Sequence, residues 1–244
     1  MMMKICMRLF LFGMTMLLLT GCSKSIHHER IYIPKHGPHV EKEKVALAPT
    51  IPKGDTNLLI VIDAGHGGKD DGTQSLNQPK FLEKHLTLTT AKMLNTYLQG
   101  YGYRTYMTRE DDTFISLSKR AEMANEKDTH LFVSVHYNAA ENRSANGIEV
   151  YYYKSDKDEK RTKDSKTLAT SILDDVISET SAKSRGVKHG NFAVIRETKM
   201  PAILIEGGFM TNEDEMSKIK NASYMKKIAW GIAQGVKNYL HPNK

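Results

Sequence analysis

The chain has 244 residues, of which 40% are hydrophobic and 26% are charged, and its formal net charge is +7 at pH 7. This length allows one substantial hydrophobic core or at most two small ones, which excludes a large multidomain protein. The positive charge is a mild bias toward anionic surfaces, such as lipid headgroups or polymers that carry carboxylates.

The amino terminus has the pattern of a targeting segment. Lys4 and Arg8 precede an apolar stretch from Leu9 to Leu19, and small residues lead from there to Cys22. The stretch is shorter than the roughly 20 apolar residues that span a bilayer. The segment resembles the lipobox of bacterial lipoproteins, which implies cleavage before Cys22 and lipidation of that residue. An ordinary signal peptide with a chance match is the alternative.

Processing at this position defines residues 1–21 as a lipoprotein signal peptide. It removes Cys6 and leaves Cys22 as the remaining cysteine, so no disulfide is expected. The net charge falls to +5 because Lys4 and Arg8 are removed. The protein is then exported and anchored by lipid in a bacterial envelope membrane, where it faces the periplasm or the cell wall. Nucleic acid is not an expected partner there.

Residues 22–56 are interpreted as a flexible tether. They contain scattered Pro, Lys and His and show no apolar period of either kind. At roughly 3.1 Å per residue the tether reaches at most about 100 Å. Its histidines have few apolar neighbours to fix their geometry, which favours a solvated segment over a metal site.

Residues 57–241 are interpreted as one domain in which strand-like and helix-like segments alternate. Strands are predicted over Leu58–Ile62, Arg104–Thr108, Leu131–Val135, Ile148–Tyr153, Phe192–Ile195 and Ala202–Ile205. Helices are predicted around Leu86–Leu98, Leu117–Asn125, Leu168–Ile177 and Met225–Tyr239, and the charged stretch Lys154–Lys166 as a solvated loop. The alternation predicts an α/β fold, a three-layer α/β/α sandwich around a mainly parallel (mixed) sheet of about six strands.

Three apolar segments end at a residue that can bind metal or transfer a proton. LLIVIDAGHGG leads to His66, HLFVSVHYNA leads to His136, and PAILIEGGF leads to Glu206. Ligands of open α/β sheets bind outside the carboxyl ends of the strands. We therefore expect two imidazoles and one carboxylate in a single crevice.

The two histidines indicate a catalytic zinc site, which needs three protein ligands and one open position. Glu83, at the predicted first turn of the helix after the His66 loop, is the best third ligand. A helix-start glutamate favoured by the helix dipole is the alternative. His130 lies at the far end of the strand that delivers His136, about 20 Å away. His189 stays open as a residue of the cleft.

Glu206 is the candidate general base, because a carboxylate between an apolar strand and two glycines is costly to bury without a purpose. A salt-bridged strand end is the alternative. The sequence has no HExxH motif, no GxSxG motif and no GK[ST] phosphate loop. These absences argue against a helix-borne zinc protease, a serine hydrolase and a nucleotide-binding protein.

Five motifs in order resemble the zinc-dependent N-acetylmuramoyl-L-alanine amidases of bacterial cell-wall remodelling: IDAGHGG, the Glu83 segment, SVHYNA, RGVKHGNFAVIRETKMP and AILIEGGFMTN. The similarity covers about residues 58–240. It implies that His66, Glu83 and His136 bind one Zn²⁺ per chain and that Glu206 is the catalytic carboxylate. It also implies that water, activated by zinc, cleaves the amide bond between the lactyl group of N-acetylmuramic acid and L-alanine in peptidoglycan.

The resemblance places Asn138, Arg185 and Asn191 near the cleft as candidate substrate-binding residues, with surface or loop-packing roles as the alternative. Two residues depart from the family pattern, since Tyr137 replaces a commonly small residue and Gly207 a larger one. Some family members carry an extra helix that plugs the zinc. The interval between His136 and Glu206 contains one evident helix here, which favours an enzyme without built-in inhibition.

Two other functions fit the same residues. One is a zinc peptidase that cuts within the stem peptide, and the other is a non-catalytic lipoprotein that binds peptidoglycan. The presence of Glu206 argues against the binder, which has no use for a general base. We expect a monomer. The sequence identifies no protein activator.

Overall fold

The computed structural model describes residues 57–242. The predicted signal peptide, the predicted tether and the predicted lipidation site Cys22 lie outside these residues. In the described part of the chain, no helix is both long enough and apolar enough to cross a membrane.

Six strands and six helices form the described domain. In chain order they are β1 (Leu59–Ala64), α1 (Glu83–Gly100), β2 (Arg104–Met107), α2 (Leu117–Asn125), β3 (Leu131–Asn138), β4 (Ile148–Tyr152), α3 (Glu159–Thr180), β5 (Ser184–His189), α4 (Ala193–Arg196), β6 (Ala202–Phe209), α5 (Glu213–Ile219) and α6 (Ala222–Leu240).

All six strands belong to one sheet with the order β2-β1-β3-β6-β4-β5. Strand β4 runs antiparallel to β6, and the other four neighbouring pairs are parallel. The predicted mainly parallel, mixed sheet is therefore confirmed. Because β1, β3 and β6 are parallel neighbours, their carboxyl ends share one edge of the sheet, and the start of β4 reaches the same edge.

Helices cover both faces of the sheet and complete three layers. The larger core lies under α1, α3 and α6 and includes Ile60, Val133 and Ile203 from the central strands. The smaller core lies on the opposite face, where Phe132 and Leu204 pack with residues of α2 and α4. Strands buried on both faces read as continuous apolar runs, which is why β1, β3 and β6 were recognisable from sequence.

One predicted strand is wrong. Phe192–Ile195 does not form a strand, and the chain makes the one-turn helix α4 over Ala193–Arg196. A short apolar run cannot distinguish a strand from a buried helical turn. The sixth strand is instead β5, which the sequence analysis missed. Its sequence SRGVKH is polar because β5 is an edge strand and is largely solvent-accessible.

The charged stretch Lys154–Lys166 is only partly a loop. Helix α3 begins at Glu159, and the side chain of Asp158 caps it by accepting a hydrogen bond from the Arg161 backbone N–H at 2.9 Å. The charges of this stretch mark a mostly exposed first part of an amphipathic helix, whose apolar face follows from Leu168 onward.

Two glycines allow α6 to lie close against α3. A Cβ at Gly235 would lie 2.4 Å from Ile172 Cα, and a Cβ at Gly231 would lie 2.6 Å from Val176 Cα. Both contacts would be with backbone, which cannot move aside as a side chain can. The contact between these helices therefore depends on the absence of side chains at two positions of α6.

Gly235→Ala is expected to lower the free energy of unfolding by about 1–3 kcal/mol, because an added methyl group forces the helices apart. The control is Gly100→Ala in α1, where a Cβ meets nothing within 4 Å. That change should be neutral or stabilise by up to about 1 kcal/mol. Urea titrations of the two variants check the prediction, and equal stabilities would contradict the close-packing argument.

Candidate active site

Strand β3, the loop after β1 and the start of α1 bring three potential metal ligands together. His66 Nε2 lies 3.0 Å from Glu83 Oε2, and His136 Nδ1 lies 3.0 Å from Glu83 Oε1. One donor atom from each of the three residues lies within 4.8 Å of the others. Glu83 is buried, whereas both imidazoles are partly exposed. Two imidazoles and one carboxylate with an accessible side match the donor set of catalytic zinc sites.

Glycines make this cluster sterically possible. A Cβ at Gly65 would lie 2.2 Å from His136 Cε1, and a Cβ at Gly72 would lie 2.6 Å from Glu83 Oε2. His66 itself has a φ of 60°, a left-handed conformation that is uncommon outside glycine. The backbone therefore approaches the cluster closely on two sides.

The carboxylate of Glu83 points into the cluster although the residue stands at a helix start. Its Oε2 accepts a hydrogen bond from the Thr73 N–H at 2.9 Å, and its Oε1 accepts one from the Tyr137 N–H at 3.1 Å. The helix-dipole alternative predicts a solvated glutamate and does not account for this direction. The two backbone donors leave Glu83 poised between the imidazoles.

Interactions within the cluster shift the pKa values of Glu83 and His66 toward their charged forms. Burial opposes ionisation of Glu83, but hydrogen bonds and the charges of His136 and His66 hold its pKa well below the usual range. Burial works to lower the pKa of His66, but Glu83 and Asp70 raise it above the usual value. Asp70 Oδ2 lies 2.9 Å from His66 Nδ1, which orients the ring. The site therefore offers an anionic carboxylate, and protons compete with a metal ion for the imidazole nitrogens.

Two buried arginines, which the sequence analysis missed, support the His66 loop. Arg109 Nε and Nη2 donate to the carbonyls of Ala64 and Gly65 at 2.9 and 2.6 Å. Arg120 Nη1 and Nη2 donate to the carbonyls of Ala64 and His66, both at 2.6 Å. Three successive carbonyls are thus held by side chains from other parts of the chain. Nothing in the local pattern around either arginine distinguishes it from a surface residue.

Asp63 holds the Arg120 side chain in position. It is fully buried and accepts hydrogen bonds from Arg120 Nη1 at 2.8 Å, Thr108 Oγ1 at 2.6 Å and Ser134 Oγ at 2.7 Å. Burial would raise the pKa of Asp63, but Arg120 and the two hydroxyl donors lower it below the usual value. Asp63 therefore acts on the His66 loop through Arg120.

Arg120→Met is expected to lower the free energy of unfolding by about 3–5 kcal/mol at pH 7, because Asp63 loses its charged partner. The pKa of Asp63 is lower in the folded protein, so its contribution is present above about pH 4 and is lost as the pH falls. Urea titrations at pH 7 and at lower pH check this. A difference from wild type that does not shrink in acid would contradict it. Arg196→Met, at an exposed ion pair with Glu197, is the control and should have little effect.

Glu206 lies beside the cluster on β6, where its Cα is the cross-strand partner of His136. Its Oε2 is buried and has no hydrogen-bond partner among residues 57–242. Burial, followed by the charges of Glu83 and Glu149, raises the pKa of Glu206 well above the usual value. These features do not fit the alternative in which Glu206 is a salt-bridged residue at a strand end.

The three candidate substrate-binding residues separate into two groups. Asn138 Nδ2 and Arg185 Nε both donate to the carboxylate of Glu149 at 2.7 Å. Glu149 is the cross-strand partner of Glu206, so this pair lies beside the candidate site. Asn191 is exposed and accepts a hydrogen bond from an arginine of α4. Glu149 was not recognisable from the sequence, because a glutamate within NGIEV resembles an ordinary residue of an amphipathic strand.

The two departures from the family pattern compensate each other. A Cβ at Gly207 would lie 2.9 Å from Tyr137 Cε1, so the large ring occupies the space of a larger residue at 207. Tyr137 belongs to the larger core, and its hydroxyl lies 2.7 Å from Thr90 Oγ1. Both departures therefore affect packing under the sheet. His189 lies outside the three-ligand cluster, and its Nδ1 accepts a hydrogen bond from the Lys154 N–H at 3.1 Å.

Residues 60–238 match the family described as N-acetylmuramoyl-L-alanine amidase. The N-acetylmuramoyl-L-alanine amidase LytC of Bacillus subtilis is 38% identical over 180 residues, which cover 74% of this chain and 35% of LytC. The probable cell wall amidase LytH of Staphylococcus epidermidis is 35% identical over 188 residues, which cover 77% of this chain and 59% of LytH. The chain thus spans about one third to three fifths of the length of these curated relatives.

Solved structures match the same part of the chain. An N-acetylmuramoyl-L-alanine amidase from Clostridium difficile is 40% identical with a TM-score of 0.72, and the match covers 78% of this chain and 100% of that one. The CwlD amidase from Clostridioides difficile, solved in complex with the GerS lipoprotein, is 29% identical with a TM-score of 0.70. That match covers 75% of this chain and 98% of CwlD.

Proposed function

The chain belongs to the N-acetylmuramoyl-L-alanine amidase family, and from this membership we propose that it hydrolyses the amide bond between N-acetylmuramic acid and L-alanine in peptidoglycan. One observation carries the proposal: the donor atoms of His66, Glu83 and His136 converge within 4.8 Å, next to the strand position of Glu206, whose Oε2 is buried. A metal site with a separate carboxylate is what hydrolysis of an unactivated amide requires. A protein that only binds peptidoglycan has no need of a buried carboxylate without a partner.

We propose that the cluster holds one Zn²⁺ per chain. His66 Nε2, His136 Nδ1 and a carboxylate oxygen of Glu83 would be the ligands, and their donor types and mutual distances fit this ion. Bound there, zinc would polarise the substrate carbonyl and lower the pKa of a water molecule to about 7. Asp70 would fix the tautomer of His66, because a proton on Nδ1 leaves Nε2 free for the metal.

Glu206 is the proposed catalytic carboxylate. Its Oε2 would accept a proton from the attacking water while the water oxygen forms a bond to the lactyl carbonyl carbon. The same Oε2 would then donate that proton to the nitrogen of L-alanine as the C–N bond breaks. The products are a lactyl carboxylic acid and a stem peptide with a free amine. Burial favours the protonated form of Glu206, which supports the second transfer.

We propose that the enzyme works outside the cytoplasm, anchored through lipid on Cys22 and extended by residues 22–56. The names of the cell wall amidase relatives are consistent with this location. Each chain contains all three proposed ligands and the catalytic carboxylate, which supports action as a monomer. Asn138 and Arg185 are proposed to contribute to the substrate cleft through Glu149, and a substrate contact by Asn191 stays a prediction.

The proposal is tested by mass spectrometry of purified peptidoglycan incubated with the purified protein, with chelator, and after zinc readdition. Zinc-dependent release of whole stem peptides with a free L-alanine amine is expected. Release of shortened peptides would contradict the amidase and support the zinc peptidase that cuts within the stem peptide. Binding of zinc-loaded protein to peptidoglycan without any release would favour the non-catalytic binder.

A further inference from the structure

A buried carboxylate next to the candidate active site is surrounded by four donors. Glu149 Oε1 accepts hydrogen bonds from Asn138 Nδ2 and from the Tyr151 hydroxyl, both at 2.7 Å. Glu149 Oε2 accepts from Arg185 Nε at 2.7 Å and also contacts Lys188 Nζ. The side chain of Glu149 is almost fully buried, and all four of these hydrogen-bond or ion-pair partners are side chains of the protein itself.

The network contains more positive than negative charge. Arg185 and Lys188 each carry one positive charge, and Glu149 carries one negative charge. The side chains of Arg185 and Lys188 remain 29% and 38% exposed, whereas that of Glu149 is 3% exposed. Arg185 and the two neutral donors already compensate the burial of Glu149. One positive charge is therefore left over, and it faces solvent at the edge of the site.

The excess charge lies on the side of Glu206 away from the metal cluster. In the sheet, β6 separates β3, which carries His136, from β4, which carries Glu149. Glu149 is the antiparallel partner of Glu206, and such partners have Cα atoms about 4.5–5.5 Å apart. A substrate whose scissile amide lies at Glu206, and whose leaving peptide extends away from the metal cluster, would place the following residues near the two cations.

The separation of Glu206 from the two cations, Arg185 and Lys188, suits one particular group of the stem peptide. An extended chain advances at most about 3.3–3.6 Å per residue, so the residue after L-alanine can reach the two cations while the L-alanine nitrogen is near Glu206. In peptidoglycan this second residue is a D-glutamate that is linked onward through its side chain. Its α-carboxyl group is therefore not used in the chain, and it occurs as a free carboxylate or as a carboxamide.

We propose that Arg185 and Lys188 form a subsite for this α-carboxylate, so that the protein prefers stem peptides in which it is free. The proposal rests on the proposed function, because it takes the scissile amide to lie at Glu206. Hydrogen bonds from Arg or Lys to a carboxylate are stronger than those to a neutral carboxamide. Glu149 is a positioning residue in this arrangement, since it holds both cations from below.

The test compares two product peptides that differ only in this group, L-Ala-γ-D-Glu-L-Lys and its α-carboxamide form. Their affinities for the zinc-loaded protein are measured by calorimetry, together with kcat/KM for the corresponding muramyl peptides. We expect the carboxamide peptide to bind the wild-type protein about 10-fold more weakly or worse. Lys188→Met and Arg185→Gln should weaken binding of the carboxylate peptide and leave binding of the carboxamide peptide nearly unchanged.

Lys163→Met is the matched control, because Lys163 is an exposed residue of α3 on the other face of the sheet. The Lys163→Met variant should prefer the carboxylate peptide over the carboxamide peptide as strongly as the wild type does. Lys188→Met leaves three donors on Glu149, so the variant should fold, and thermal unfolding checks this. Equal affinities in the wild type, or a preference that survives both substitutions, would overturn the subsite. Release of stem peptides from whole peptidoglycan tests the proposed function separately, because the binding preference does not require turnover.

Discussion

Glu206→Gln is expected to lose nearly all turnover and to keep its zinc. Glutamine has nearly the same shape as glutamate, but it cannot accept a proton from water at neutral pH, and loss of general acid–base catalysis costs about 10²–10⁴-fold in rate. Zinc content should stay near one per chain, because Glu206 is not one of the three residues of the cluster. Turnover of a muramyl peptide and elemental analysis of the purified variant are the two measurements.

Stability gives an independent readout for the same variant. Burial raises the pKa of Glu206, so as the pH rises from about 4 toward this raised pKa the metal-free folded protein retains a proton that the unfolded chain has released. Glu206 therefore lowers the free energy of unfolding as the pH rises. Glutamine has no such proton equilibrium, so the substitution removes this destabilisation. We expect the metal-free variant to be at least as stable as the metal-free wild type at pH 7.

The control for this substitution is Glu197→Gln, which changes a partly exposed glutamate paired with Arg196. Its turnover and zinc content should match those of the wild type. Normal turnover in Glu206→Gln would show that another group carries the proton. Loss of zinc in Glu206→Gln would show instead that Glu206 belongs to the metal site.

His66→Ala is expected to lose both zinc and turnover. Removal of a residue that only orients a ligand typically costs 10–100-fold in metal affinity, so loss of a ligand should cost more than about 100-fold. Asp70→Asn, which alters the partner of His66 Nδ1, should fall in the smaller range. Competition with a chromophoric chelator measures the zinc affinity of each variant, and the muramyl peptide assay measures its turnover.

The matched control is His85→Ala. His85 lies on the same helix as Glu83, two residues further along, and its side chain is 61% exposed and outside the cluster. This variant should retain zinc and turnover. Tight zinc binding by an inactive His66→Ala protein would move His66 from the metal site to a role in substrate binding.

The fold class and the positions of the main site candidates could be predicted from local sequence patterns. Strands β1, β3 and β6 are buried on both faces, so their sequences are nearly continuous apolar runs that stand out locally. Because parallel strands end at one edge of a sheet, the positions of His66, His136 and Glu206 at these ends already predicted that they would meet. Short-range patterns carry this information, since burial and chain direction act on each segment separately.

The residues that surround these candidates could be identified only from the folded structure. Arg120 holds a carbonyl 56 positions away, and Arg185 holds a carboxylate 36 positions away. The compensation between Tyr137 and Gly207 also depends on two adjacent strands and not on either sequence. Strand β5 escaped recognition because an edge strand need not be apolar. Partners that are distant in sequence leave no mark on the local pattern, because the energy of a buried polar contact depends on groups that only folding brings together.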